Sequence, residues 1–208
     1  MPDDRAERQS RVLTQVALVY QVMLDHHGPT PAGVCWSDDA GQVLRFDLLT
    51  KGIDATRPVS VNDVGCGYGA LFGFMMERFR LSGYCGTDIC EAMVEAAARR
   101  ITAPIASFVQ SAVPVAPADW SLASGTFNMT GGADLGEWRE LVRTVLLAMA
   151  RNSRVGLAFN LLRSNRGDDL LWGDEPGEWE HFCRDRLGGR CEVEIHPDGG
   201  EWTLRVRL

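Results

Sequence analysis

Val61-Asn62-Asp63-Val64-Gly65-Cys66-Gly67-Tyr68-Gly69-Ala70 reads as a short strand, a glycine-rich turn and the opening of a helix. Glycine at 65, 67 and 69 lets the chain turn tightly and approach a ligand without a Cβ in the way. Downstream, Gly86-Thr87-Asp88-Ile89-Cys90-Glu91-Ala92-Met93 closes a second strand on another acid before a second helix. Two acids at the carboxyl ends of adjacent parallel strands describe a cleft for an adenosine-bearing ligand.

The turn alone fits two ligands. Gly65-x-Gly67-x-x-Ala70 also satisfies the dinucleotide pattern, in which a pyrophosphate sits at the helix start. Asp63 separates the two. A carboxylate two residues before the turn repels a diphosphate and attracts a cation, such as the ammonium of S-adenosylmethionine. Asp88 is placed to accept both ribose hydroxyls, a contact that either cofactor would use.

Outward from this core, strands and helices alternate. Residues 5–25 carry Val12, Val16, Val19, Tyr20 and Met23 at helical spacing. This helix either packs on the domain edge or caps the cleft. Gly28-Pro29-Thr30-Pro31 breaks the chain, and residues 41–49 are helical again. Leu71, Phe72, Met75, Met76 and Phe79 mark the helix after the first strand. Strands are expected at 83–87, 105–109, 120–126 and 155–160, with a helix at 91–100. Asp134 and Glu137 form a capping-box arrangement for a helix that buries Trp138, Leu141, Val142, Val145 and Met149. Pro176 opens the last helix and Gly188 closes it. Cys191, Val193 and Ile195, then Trp202, Leu204, Val206 and Leu208, alternate with polar residues around Pro197-Asp198-Gly199-Gly200. That hairpin sets Glu192 across from Arg205. The fold class is α/β: a doubly wound, mostly parallel sheet with helices on both faces and a C-terminal antiparallel hairpin. Residues 1–55 read as an N-terminal helical cap segment and 56–208 as the ligand-binding domain.

The 208 residues carry 28 acidic and 21 basic side chains, a net charge of -7, which argues against non-specific binding of nucleic acid or anionic membrane. No apolar run reaches transmembrane length. The N-terminus, charged and mixed in sign, is unlike a signal peptide. Cysteines at 35, 66, 85, 90, 183 and 191 show no paired C-x-x-C spacing, as expected for reduced thiols in a cytoplasmic protein. No metal-ligand set stands out, and the four histidines are scattered.

Asp63-Val64-Gly65-Cys66-Gly67-Tyr68-Gly69 resembles the first motif of the class I S-adenosylmethionine-dependent methyltransferases, and Thr87-Asp88-Ile89 with Glu91-Ala92-Met93 resembles their second. Ser124-Gly125-Thr126-Phe127-Asn128, and Ala158 to Leu162, are similar to a group of small bacterial members. The resemblance implies a sheet ending in an antiparallel pair, S-adenosylmethionine as cofactor, and methyl transfer to a small molecule or glycan precursor. It places Asp63, Gly65, Gly67, Tyr68, Gly69, Asp88, Ile89 and Ser124 around the cofactor. Gln110 and Ser111 stand where the family often has an acid for the adenine amine, and are expected to bind the cofactor there by accepting through an oxygen, more weakly than a carboxylate. Asn62 replaces an apolar residue and so needs a buried partner.

Arg45 is the expected partner of the cofactor carboxylate, because arginine offers a two-pronged donor; the alternative is a surface arginine. Phe127, Asn128, Asn160 and Trp172 are substrate candidates; the alternative for Asn128 and Asn160, which end adjacent strands, is that they satisfy local turns. Residues 163–175 form a long loop containing Asp168, Asp169 and Trp172. It is read as a lid over the substrate, with an acid as a possible base, or as solvated loop charge. Two other readings stay open: a nicotinamide-dependent oxidoreductase, which Asp63 opposes, and a module that binds S-adenosylmethionine without transferring its methyl.

Overall fold

The computed structural model describes residues 2–36, 39–163 and 170–208. Among them, seven strands form a single sheet in the order β3-β2-β1-β4-β5-β7-β6. These are β1 (Val59–Val64), β2 (Leu81–Asp88), β3 (Ala106–Gln110), β4 (Ala118–Ala123), β5 (Ser153–Leu162), β6 (Arg190–Ile195) and β7 (Glu201–Arg207). β1 pairs in parallel with β2 and β4, and parallel pairing continues outward to β3 and β5. β7 runs antiparallel to both β5 and β6. Strand order therefore reverses between β1 and β4, and the carboxyl ends of those strands open a crevice.

The helices are α1 (Pro2–His27), α2 (Asp39–Thr50), α3 (Ala70–Arg78), α4 (Glu91–Arg100), α5 (Leu135–Arg151) and α6 (Pro176–Leu187). Each face of the sheet carries its own core. On one, Phe46 and Leu49 of α2 and Leu71, Phe72 and Met75 of α3 pack on Val61, Trp120 and Leu122. On the other, Trp138, Val142, Leu146 and Met149 of α5 and Trp179 of α6 pack on Leu157, Phe159 and Leu161. α3 buries Leu71, Phe72, Phe74 and Met75, while Met76 is 48 % exposed, so its buried stripe is narrower than the sequence pattern suggests. Asp134 caps α5, its side chain accepting from the Glu137 N–H at 3.0 Å.

Several local expectations hold. Asn62 finds its buried partner: its amide donates to the Ala116 carbonyl at 2.9 Å. Glu192 lies opposite Arg205 in the hairpin register. β7, expected to alternate, is buried along nearly its whole length because it lies between β5 and β6 with helices against it. β4 ends at Ala123 rather than 126, because Gly125 turns the chain with φ +69. A Cβ there would run into the Trp36 indole. Among the described residues no helix is long and apolar enough to cross a membrane.

Candidate active site

The glycine turn hangs from the end of β2. Gly65 and Cys66 both donate their N–H to the Thr87 carbonyl, at 2.7 and 3.0 Å. Gly65 has φ +72, and a Cβ there would stand 2.5 Å from Thr126 Cγ2, so glycine is required on two counts. The turn then offers the Gly67 N–H to Asp88 Oδ2 at 2.9 Å. Asp88 Oδ1 accepts the Cys90 N–H at 2.9 Å, satisfying the start of α4 that Cys90 itself does not cap. Asp88 is thus held by backbone donors, and its remaining lone pairs are free for hydroxyls. Burial raises its pKa above the usual carboxylate range, and the backbone hydrogen bonds oppose that rise.

Asp63 is 2 % exposed. Its one hydrogen-bond partner among the described residues is the Tyr84 hydroxyl, which donates to Oδ2. Burial pushes its pKa up to about 7, the Tyr84 bond pulls against this, and nearby Asp88 adds to the rise. A buried carboxylate with no cation beside it is costly. The site fits a ligand that brings the missing positive charge.

Both acids open into a pocket of about 1000 Å³, part of it open to solvent. Of the residues the sequence singles out, Asp63, Gly65, Gly67, Tyr68, Asp88, Ile89, Ser111, Ser124 and Phe127 line it. The Ser124 hydroxyl is buried without a partner. Gln42 of α2 and Tyr68 line the same wall, the Tyr68 hydroxyl donating to Gln42 Oε1 at 3.2 Å. Tyr20, Val16 and Leu13 of α1 form a further wall.

Other expected site residues lie elsewhere. Arg45 is not among the residues lining the pocket; its side chain is half-buried, 16 % exposed, and is engaged within the chain. Its Nε and Nη2 donate to the two oxygens of Glu201 at 2.7 and 2.6 Å, and its guanidinium lies 3.9 Å over the Trp36 ring. Gly69 serves as the N-cap of α3, donating to the Cys66 carbonyl. Gln110 is exposed and donates to the Ile89 carbonyl at 3.0 Å. Asn128 Oδ1 accepts the Leu162 N–H and Asn160 Oδ1 accepts the Gly125 N–H at the carboxyl end of the sheet, while Asn160 Nδ2 is buried without a partner; neither residue lines the pocket. Trp172 is 1 % exposed, packed edge-on to Trp179 at 5.9 Å, and its N–H donates to the Asn128 carbonyl. The 170–173 stretch therefore returns to the sheet, bridging Met129 and Leu162. Asp168 and Asp169 lie outside the described residues. Sequence reasoning missed Gln42, and also Trp138, Leu141 and Leu13 as pocket residues. Helical spacing marks Trp138 and Leu141 as buried but not as facing a cavity, and it gives no signal for Gln42 or Leu13.

No family model matches the chain. A protein of Mycobacterium tuberculosis, provisionally named a methyltransferase, is 37 % identical over 162 residues, covering 74 % of this chain and 96 % of its own length. Among solved structures, a DhpI complex with S-adenosylhomocysteine superposes with TM-score 0.63 at 15 % identity, over 94 % of this chain and 96 % of that one. An S-adenosylmethionine-dependent methyltransferase from Mesorhizobium loti superposes with TM-score 0.58 at 13 % identity, over 75 % and 94 %. These two likenesses speak to the fold.

Proposed function

The chain belongs to the class I S-adenosylmethionine-dependent methyltransferases, and from that membership we propose that it methylates an oxygen or nitrogen of a small molecule held in the cleft beside Asp63 and Asp88. The observation that carries this reading is the pair of buried acids, with Asp63 lacking a cation among the described residues. Asp63 would hold the ammonium of S-adenosylmethionine and Asp88 the ribose hydroxyls. Ile89 and Ala112, both pocket-lining, would flank the adenine. With Arg45 engaged by Glu201, the ligand carboxylate would fall to Gln42 and Tyr68, neutral donors on the same wall.

When bound, S-adenosylmethionine would supply a methyl on cationic sulfur to the acceptor lone pair, the C–S bond breaking to leave a neutral thioether and the proton of an O–H or N–H acceptor passing to solvent. The chain's own part is to orient the reactants and exclude water. Asp63 and Asp88 fix the ligand at two points, and α1 covers the cleft through Leu13, Val16 and Tyr20. The six unpaired cysteines support a reducing, cytoplasmic setting, and the net charge of -7 supports a partner other than nucleic acid.

Calorimetric titration tests the reading. Binding of S-adenosylmethionine and S-adenosylhomocysteine is expected, and binding of neither overturns it. Methyl-labelled S-adenosylmethionine with a panel of acceptors then separates transfer from binding alone.

A further inference from the structure

The cleft has two unlike halves. Its charge, among the described lining residues, comes from Asp63 and Asp88, and neither lysine, arginine nor histidine lines it. Both acids lie on the β1–β2 side. Across the strand reversal, past the end of β4, the wall changes character: Leu13 and Val16 from α1, Phe127 from the loop after β4, and Trp138, Leu141 and Val145 from α5. Four polar or charged side chains on these segments are already engaged. Trp138 Nε1 donates to the Phe127 carbonyl at 2.9 Å, Thr126 Oγ1 donates to the Val64 carbonyl at 2.7 Å, and Arg8 and Glu137 pair at 2.8 Å between α1 and α5.

We propose that this α1–α5 half is the acceptor subsite and that it takes an uncharged, largely apolar molecule, an aromatic ring or alkyl chain carrying one nucleophilic atom. The proposal rests on the methyltransferase reading. With the two acids occupied by the cofactor's ammonium and ribose, the strand order β2-β1-β4 leaves the β4 end for the second reactant. An anionic acceptor would find no lysine, arginine or histidine among the described lining residues to pair with. A sugar would bring several hydroxyls to a wall with few partners for them, each left unpaired at a cost. An apolar body gains from the same wall, and the unpartnered Ser124 hydroxyl offers one polar contact at the β4 end.

The test uses the full chain saturated with S-adenosylhomocysteine. Calorimetry is run with 2-naphthol and 1-octanol as neutral probes, and with 2-naphthalenesulfonate and glucose as charged and polyhydroxyl ones. At least one neutral probe is expected to bind at least tenfold more tightly than either of the others. Val145→Thr, which keeps the side-chain shape, and Leu141→Gln should each weaken that probe by about fivefold or more while leaving S-adenosylhomocysteine affinity within twofold. Thermal melts identify any variant that fails to fold, and the isosteric threonine variant keeps the comparison open if the glutamine does. Equal or tighter binding of the sulfonate or the sugar overturns the proposal. So does the failure of both neutral probes, or an unchanged probe affinity in the folded variants. Loss of S-adenosylhomocysteine binding by the unaltered protein would instead sink the methyltransferase reading itself.

Discussion

Asp63 and Glu201 are equally buried, each 2 % exposed, yet they sit in opposite electrostatic surroundings. Glu201 receives both arms of Arg45, and His196 Nδ1 lies 3.4 Å from its Oε2. Burial holds the His196 imidazole below its ordinary pKa, against the pull of Glu201, and its Nε2 is engaged with Thr203 at 2.8 Å. That cluster ties α2 to β7 and is complete within the chain. Asp63 has a phenol for a partner and another acid for a neighbour. A closed ion pair is architecture, whereas an open buried carboxylate facing a pocket marks where a cation from outside belongs.

The largest effect should come from opening the closed pair. Arg45→Met leaves Glu201 buried without its partner and should lower stability by about 3–5 kcal/mol, read from urea unfolding. S-adenosylhomocysteine affinity of the folded fraction should stay within a few-fold. A tenfold loss of affinity at unchanged stability would restore Arg45 to the ligand and erase the contrast. Asp63→Asn should do the reverse. Affinity for S-adenosylmethionine should fall by about 30- to 100-fold, roughly 2–3 kcal/mol, while the ligand-free protein should melt no lower than the unaltered one.

The open carboxylate should also show in pH. A carboxyl pushed up to about 7 is favoured in its neutral form by the fold. Its contribution to stability is therefore present in acid and lost as pH rises from about 4 through about 7. A cationic ligand needs the ionised form, so affinity should rise with pH up to about 7 and level off above it, by up to about tenfold per unit below that point. Thermal-shift titrations between pH 5.5 and 8 read both trends, and Asp63→Asn should flatten them. Equal ligand-induced shifts across that range would mean that Asp63 does not meet the cation.

The smallest effect belongs to the neutral donors. Gln42→Leu and Tyr68→Phe should each weaken S-adenosylhomocysteine by about 3- to 10-fold, as expected for one hydrogen bond. Affinity for 5′-methylthioadenosine, which lacks the amino-acid portion, should not change. Equal loss for both ligands would place these two side chains in the scaffold alone.

Much of this is legible in the amino-acid sequence. The alternating strand and helix periods, the capping pair Asp134 and Glu137, and the Pro197–Gly200 turn are local signals, and the sheet follows them. The same holds for Asp63 and Asp88, because a residue at the carboxyl end of a strand before a tight turn must emerge at the sheet's edge. Arg45 was not legible in this way. Its partner lies 156 positions away, on a strand whose neighbours are settled only when the sheet closes. Asn128, Asn160 and Trp172 sit at positions that suggest contact with a substrate, yet each is turned to a backbone group or into the core. Sequence spacing shows that such a side chain is near the crevice and leaves open which way it points.

By itself, the amino-acid order determined the backbone course through 59–70, the acids that end β1 and β2, and the strand and helix periods that build the α/β sheet. These depend on glycine's freedom at positive φ and on residues within a few positions of one another. Tertiary structure alone decided which buried carboxylate has a cation, which helix faces turn to the cavity, and where the polar and apolar halves of the cleft meet. Those outcomes depend on charges and surfaces brought together across long stretches of chain, and the energy of burying a charge exists only once its surroundings have closed around it.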